Sequence, residues 1–202
     1  MTLHLTHTEN PSRYSCYIDD AFYRELTDGL QDWDRESLPV DAPVDMEVRS
    51  HCQALLFREA GLLDDGRFDD WLELFFPECL YWVPSVVRGG DPRTEVSIAF
   101  DDRRRLEDRI YWLQGGFAYS QTPRSRTSRT ISNIEVLQGS TTEAANVRSN
   151  FVIHEFRQGE MRSLAGWYGH RLKKQNDRWQ IRQKMVNLID CDQGQDNLTF
   201  LL

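Results

Sequence analysis

Three stretches in the second half of the chain decide the fold: ANVRSNFVIHEF (145–156), MRSLAGWYGHRLKK (161–174) and RWQIRQKMVNLI (178–189). Apolar and polar side chains tend to alternate in them, which is typical of strands with one buried face. The predicted shared faces carry Val147, Phe151 and Ile153 in the first stretch and Trp179, Ile181 and Met185 in the third.

Turn residues separate these stretches and join them to a fourth. Gln158-Gly159 and Asn176-Asp177 favour tight hairpin turns, and Gln138-Gly139-Ser140 ends a further predicted strand over 131–137. We therefore predict an antiparallel meander of four strands.

The preceding part of the chain has mainly helical periodicity. Asp45 is predicted to cap a helix, and Asp101 or Asp102 a later one that runs to about Gln114. Between them we predict a short helix with Phe68, Trp71, Leu72, Phe75 and Phe76, then strands at 80–83 and 96–100. Helices followed by a meander predict an α+β fold, with helices on one face of a curved sheet.

The acidic charge is concentrated near the start of the chain. The 32 acidic and 24 basic residues give a net charge of −8, and all of this excess lies in 19–47. Ile18, Phe22, Leu26, Leu30 and Trp33 predict an amphipathic helix there. We divide the chain into an acidic extension, 1–45, and one domain, 46–202. We expect the extension to dock its apolar side on an oligomer, with its carboxylates facing solvent or an Arg-rich surface.

Composition also excludes several classes of protein. A neutral body with an acidic flank does not suit nucleic-acid binding. The sequence has no run of about 18 apolar residues, so no membrane span is predicted. Cys16, Cys52, Cys79 and Cys191 are scattered and form no C-x-x-C pair, so we predict reduced cysteines and a cytoplasmic location.

The sequence contains few residues in catalytic patterns. There is no P-loop, dinucleotide fingerprint or nucleophile elbow. His154 and His170 are predicted on the face opposite the apolar set, but Glu155 points away from His154, so structural histidines are favoured over an iron site. Arginines cluster at 103–109 and 124–129, which favours a protein interface.

An ordered series of motifs runs from about residue 48 to residue 202. Its members are FREAGLLD (57–64), WLELF (71–75), YWVP (81–84), DDRRRLEDR (101–109), PRSRTSR (123–129), ISN (131–133), SNF (149–151), WQI (179–181) and KM (184–185). The series resembles the small (β) subunits of Rieske-type aromatic-ring-hydroxylating dioxygenases. EVSI (95–98) before Asp101-Asp102 looks closest to the benzoate and related aromatic-carboxylate branch.

The resemblance implies a cone-shaped α+β fold of the ketosteroid-isomerase, nuclear-transport-factor and cystatin-like type. It implies a non-catalytic subunit that trimerises and carries three large (α) subunits as α3β3. In such complexes the α subunit holds the Rieske [2Fe-2S] cluster and the mononuclear Fe(II), and a reductase or ferredoxin supplies NAD(P)H-derived electrons for cis-dihydroxylation. This chain would then hold no cofactor or metal. The candidate interface residues are Trp82, Asp101, Arg105, Arg109, Arg124, Arg126, Arg129, Asn133 and Asn150.

A second interpretation is a stand-alone isomerase or dehydratase that uses an acid or base inside the same cone. Its candidate residues are Tyr81, Trp112, His154 and Tyr168.

Overall fold

Within the described residues, a curved six-stranded sheet carries helices on its inner face and a short helical segment on its outer face. The computed structural model describes residues 20–33, 45–115, 123–137, 139–195, 198 and 200–202. The helices are α1 (Asp20–Asp28), a 3-10 helix (Gly29–Trp33), α2 (Met46–Asp64), α3 (Phe68–Leu72) and α4 (Arg103–Gln114). The strands are β1 (Phe75–Pro84), β2 (Ser97–Asp102), β3 (Arg126–Val136), β4 (Ala144–Arg157), β5 (Glu160–Gln175) and β6 (Arg178–Leu188).

The strand order is β2-β1-β6-β5-β4-β3. Strands β3 to β6 form the predicted antiparallel meander, which is confirmed. Strand β1 extends it by pairing in parallel with β6 and antiparallel with β2. The fold class predicted from the sequence, α+β with helices on one face of a curved sheet, is therefore confirmed for the main domain.

Two element boundaries differ from the prediction. Phe75 and Phe76 begin β1 instead of extending α3, because Phe75 pairs with Ile181 of β6 and both phenyl rings are buried. A short apolar run has no periodicity that separates these two states. Strand β3 begins at Arg126, five residues before the predicted start, because pairing with β4 fixes a segment whose side chains are mostly polar.

One predicted face is wrong in β6. Ile181 packs in the inner cluster, whereas Met185 packs in the outer cluster, so the two do not share a face. The cause is an irregularity at Arg182, where Leu172 pairs with Ile181 but Arg171 pairs with Gln183. One extra residue reverses the side-chain alternation of the rest of the strand.

The inner cluster is the main hydrophobic core and lies between the sheet and helices α2, α3 and α4. Asp45 caps α2 as predicted, because its side chain accepts a hydrogen bond from the amide of Glu47 over 2.8 Å. Asp102 caps α4 through the amide of Arg105. Cys52, Cys79 and Cys191 are free and buried, and Cys16 lies outside the described residues.

The outer cluster lies beneath residues 20–33. Leu26 and Trp33 pack against Leu80, Trp82 and Met185 of the sheet. The predicted helix is therefore present over α1, although Ile18 lies outside the described residues. Its apolar side covers the sheet of its own chain, which corrects the expectation that it docks on an oligomer. The boundary between extension and domain stays a prediction.

Candidate functional site

Three ionisable side chains form a buried cluster between α2 and the inner face of the sheet. Lys184 Nζ donates to Glu59 Oε1 over 2.8 Å, and His170 Nε2 lies 3.0 Å from Glu59 Oε2. Trp71 Nε1 donates to Oε1 over 3.2 Å. Both carboxylate oxygens therefore have partners, as a charge removed from water requires.

The backbone explains why these three side chains meet. Glu59 falls on the apolar face of α2, in line with Cys52 and Leu63. The irregularity at Arg182 turns Lys184 inward. His170 follows Tyr168 by two residues and shares its inner face, so the prediction that His170 lies opposite the apolar set is wrong.

The electrostatics of the cluster are dominated by burial and by mutual attraction. Burial alone would raise the pKa of Glu59, but the positive charge of Lys184 and the hydrogen bonds from Lys184 and His170 outweigh it and hold that pKa below its usual value of 4.5. Burial lowers the pKa of His170 despite the attraction of Glu59. The ring is therefore neutral at pH 7, and we assign the Nε2 proton as the one donated to Glu59.

Of the four acid/base candidates, two lie in the cone and two do not. Tyr81 and Tyr168 are buried, and burial raises the pKa of both phenols. Trp112 is exposed on α4, and His154 is exposed on β4, where its Nδ1 lies 2.8 Å from Ser163 Oγ. Those two cannot act inside the cone.

The structure does not bring a metal-ligand set together. His154 and His170 lie on opposite faces of the sheet, and Glu155 bonds to Ser125 and Arg162. Among the residues that the structure describes, no group of three His, Cys, Asp or Glu side chains could hold a metal ion.

Three of the nine interface candidates are occupied inside their own chain. Trp82 is buried in the outer cluster and donates to Ser97 Oγ over 2.9 Å. Asp101 is buried and accepts from Arg109 over 2.6 and 2.8 Å. The Arg129 side chain is 1% exposed and bonds to Asp64 and the backbone oxygen of Leu201. Any effect of these three on a partner would be indirect.

Two further candidates lie at the surface of α4. Arg105 is exposed, and the Arg109 side chain is 41% exposed. With Trp112 they line an open pocket of about 340 Å³, whose other lining residues include Leu198 and Phe200. We call Arg105, Arg109, Trp112 and this pocket the α4 patch.

The remaining four candidates lie on or beside β3 and β4. Arg126 is exposed, with its guanidinium 4.7 Å from the Phe156 ring centroid. Asn150 is half-buried. Arg124 donates to the backbone oxygen of Leu113 over 2.9 Å, and Asn133 has a φ of 49° at a bulge. We call the exposed and half-buried outward side chains Arg126, Asn150, Val152, His154 and Phe156 the β patch.

The sequence interpretation missed Glu59, Lys184 and the segment Leu201–Leu202 that they help to hold. One signal was available, because a glutamate on an apolar helical stripe needs a buried partner. The partner itself could not be identified, since Lys184 is 125 residues away and its direction depends on the irregularity in β6.

Comparison with known proteins first defines the class of fold. A nuclear-transport-factor-like protein with a cystatin-like fold from Novosphingobium aromaticivorans is 15% identical, with a TM-score of 0.53 and coverage of 86% of this chain and 92% of that one. The β subunit of benzoate 1,2-dioxygenase from Burkholderia mallei is 27% identical, with a TM-score of 0.60 and coverage of 73% and 93%. The chain is thus a protein of the cone-shaped α+β class.

The same comparison also identifies the protein family, which is a narrower group than the fold class. The profile described as "Ring hydroxylating beta subunit" matches residues 58–192. The small subunit of 2-halobenzoate 1,2-dioxygenase from Burkholderia cepacia is 35% identical over 140 residues, which cover 67% of this chain and 84% of that protein. The chain belongs to the family of ring-hydroxylating dioxygenase β subunits. These findings favour a structural subunit over a stand-alone enzyme.

Proposed function

We propose that this chain trimerises and scaffolds three large subunits in an α3β3 oxygenase. Its family membership over 58–192 carries the proposal. Its interior supports a structural role, because the three ionisable side chains of the buried cluster bond to one another.

The α4 patch and the β patch are the proposed contact surfaces. Both combine arginine forks with aromatic rings, a composition enriched at protein interfaces. The β patch lies on the outer sheet face over β3 and the second half of β4, whereas residues 20–33 bond to Asn146 and Arg148 in the first half of β4. We assign it to contacts between copies of this chain, and the α4 patch to the large subunit.

The chemistry would then belong to the partner. We propose that the large subunit holds the Rieske cluster and mononuclear iron, and that a reductase or ferredoxin delivers electrons to it. The substrate class we propose is an aromatic carboxylate, since two of the relatives are named for benzoate and 2-halobenzoate. No helix in the described part of the chain is long and apolar enough to cross a membrane. Free buried cysteines support a cytoplasmic location.

Co-expression with the large subunit tests this proposal. We expect the isolated chain to be a trimer without iron or oxygenase activity, and the complex to show Rieske absorption. Light scattering and metal analysis of both samples measure these properties. A monomer, or stoichiometric iron in the isolated chain, would contradict the scaffold role.

The variants Arg126→Glu and Arg105→Glu test the two surfaces independently. The first should dissociate the trimer, and the second should weaken only the capture of the large subunit. If both variants assemble like the wild type, neither patch is the interface.

A further inference from the structure

The segment at Leu201–Leu202 enters the inner cluster of the cone. Both side chains are 2% exposed and pack in the main hydrophobic core, together with the half-buried Leu198 and Phe200. A backbone that enters a core must satisfy its polar groups there. The side chains that do so are themselves buried.

Tyr81, Lys184 and Arg129 hold this segment. Leu202 N donates to Tyr81 Oη over 3.0 Å, and the Leu202 backbone oxygen accepts from Lys184 Nζ over 3.0 Å and from Tyr81 Oη at 3.2 Å. The Leu201 backbone oxygen accepts from Arg129 Nη2.

Two carboxylates of α2 keep the two cations buried. Glu59 pairs with Lys184, and Asp64 pairs with Arg129. A buried ion pair adds little stability when compared with apolar residues of similar volume. Here Lys184 and Arg129 each have a further N–H group beyond the ion pair. These groups donate to the backbone oxygens of Leu202 and Leu201.

The same segment forms part of the molecular surface. Leu198 and Phe200 line the pocket of the α4 patch beside Arg105 and Trp112. Phe200 also lies under two guanidinium groups, with Arg129 5.8 Å and Arg162 6.0 Å from its ring centroid. The position of one wall of the patch therefore depends on contacts made inside the cone.

We propose that Tyr81, Lys184 and Arg129 are positioning residues, which hold Leu201 and Leu202 so that Leu198 and Phe200 complete the surface that receives the large subunit. The inference rests on the proposed function of the α4 patch. It gives the buried cluster a role in assembly, in the place where an enzyme of this fold would bind substrate.

Hydrogen exchange on the isolated chain tests the first half. Tyr81→Phe removes the hydroxyl that bonds to both polar groups of Leu202, and exchange across 198–202 should become roughly tenfold faster. The β4 and β5 amides should keep their wild-type rates, which distinguishes a loosened segment from a destabilised fold. Tyr168→Phe is the matched control, because that buried hydroxyl makes no hydrogen bond with the segment. Unchanged exchange across 198–202 in Tyr81→Phe would overturn the inference.

Capture of the co-expressed large subunit tests the second half. Tyr81→Phe should weaken capture about as much as Arg105→Ala, a change inside the pocket, and Tyr168→Phe should not. If the segment loosens and only Arg105→Ala weakens capture, the positioning role is wrong and the proposed surface stands. If Arg105→Ala has no effect, the surface itself is wrong.

Discussion

The two faces of the sheet bury side chains in different ways. The inner face buries charges and gives each one a specific partner, as Glu59 has in Lys184 and His170. The outer face buries Leu26 and Trp33 beneath cations that stay near its rim, such as Arg171, which pairs with Asp32. Buried polar groups fix one arrangement of side chains through directed hydrogen bonds, whereas an apolar packing site is defined mainly by its shape.

The site where Trp33 packs on the outer face is nevertheless specific for its indole ring. The indole packs 6.4 Å from Trp167 between ring centroids, and the Arg171 guanidinium lies 5.4 Å from its ring. Arg148 donates to the backbone oxygen of Trp33. A Cβ at Gly169 would lie 2.7 Å from the indole, so only glycine leaves the room that this ring occupies. Residues 20–33 thereby contact β4 and β5 as well as the outer cluster.

The largest effect is expected when the inner face loses one charge. Lys184→Met leaves Glu59 without its cation in a site closed to water, so the free energy of unfolding should fall by about 3–5 kcal/mol. Chemical denaturation measures this change. The double variant Glu59→Met/Lys184→Met should recover much of the loss, because it leaves no charge unpaired. A double variant as unstable as the single one would show that the hydrogen bonds lost by Trp71, His170 and the Leu202 backbone oxygen, not the unpaired charge, dominate the cost.

On the outer face, Trp33→Ala should cost about 3 kcal/mol through lost burial, since the side chain is fully buried. The loss should be local, with faster hydrogen exchange across 20–33 and little change in the inner strands. Arg171→Met, which keeps the aliphatic stem over the sheet, is the control and should cost under about 1 kcal/mol. Equal losses in the two variants would mean that the rim charges, not the indole, hold the segment.

The comparison also shows what a sequence can and cannot predict. The apolar face of α2 and the meander were predictable, because each depends on spacing within one element. The inward direction of Lys184 was not, since a single extra residue at Arg182 determines it and pairing with β5 places that residue. The polar start of β3 was missed because its pairing with β4 fixes it and no apolar alternation marks it.

Candidate interface residues show the same limit. Arg126 and Arg129 lie three residues apart in one motif, and the sequence treats them alike. The structure separates them: Arg126 is exposed beside Phe156, and Arg129 is buried against Asp64. Arg129→Ala would therefore disturb the fold and the segment at Leu201, so only Arg126 reports cleanly on assembly.

A smaller effect is expected from adding one methyl group to the site where Trp33 packs on the outer face. In Gly169→Ala the new Cβ meets the rigid indole of Trp33, which must shift, so the unfolding free energy should fall by about 1–3 kcal/mol. Gly61→Ala on α2 is the control, because a Cβ there meets nothing within 4 Å and alanine favours the helix by about 1 kcal/mol. Thermal melts of both variants measure the difference. A neutral Gly169→Ala would show that Trp33 has freedom to move.

The smallest predicted effect is a dependence on pH that comes from the inner face. The folded pKa of His170 is depressed by burial, so below its usual value of 6.5 the unfolded chain takes up a proton that the folded chain does not. Stability contributed by the neutral ring is complete above pH 6.5 and is lost as the pH falls toward the folded pKa. Between pH 7 and pH 5.5 the wild type should therefore lose more stability than His170→Gln, which keeps a donor for Glu59 but does not titrate. Urea denaturation of both proteins at the two pH values measures the difference. If His170→Gln lost as much stability as the wild type, the pH dependence would not come from this ring.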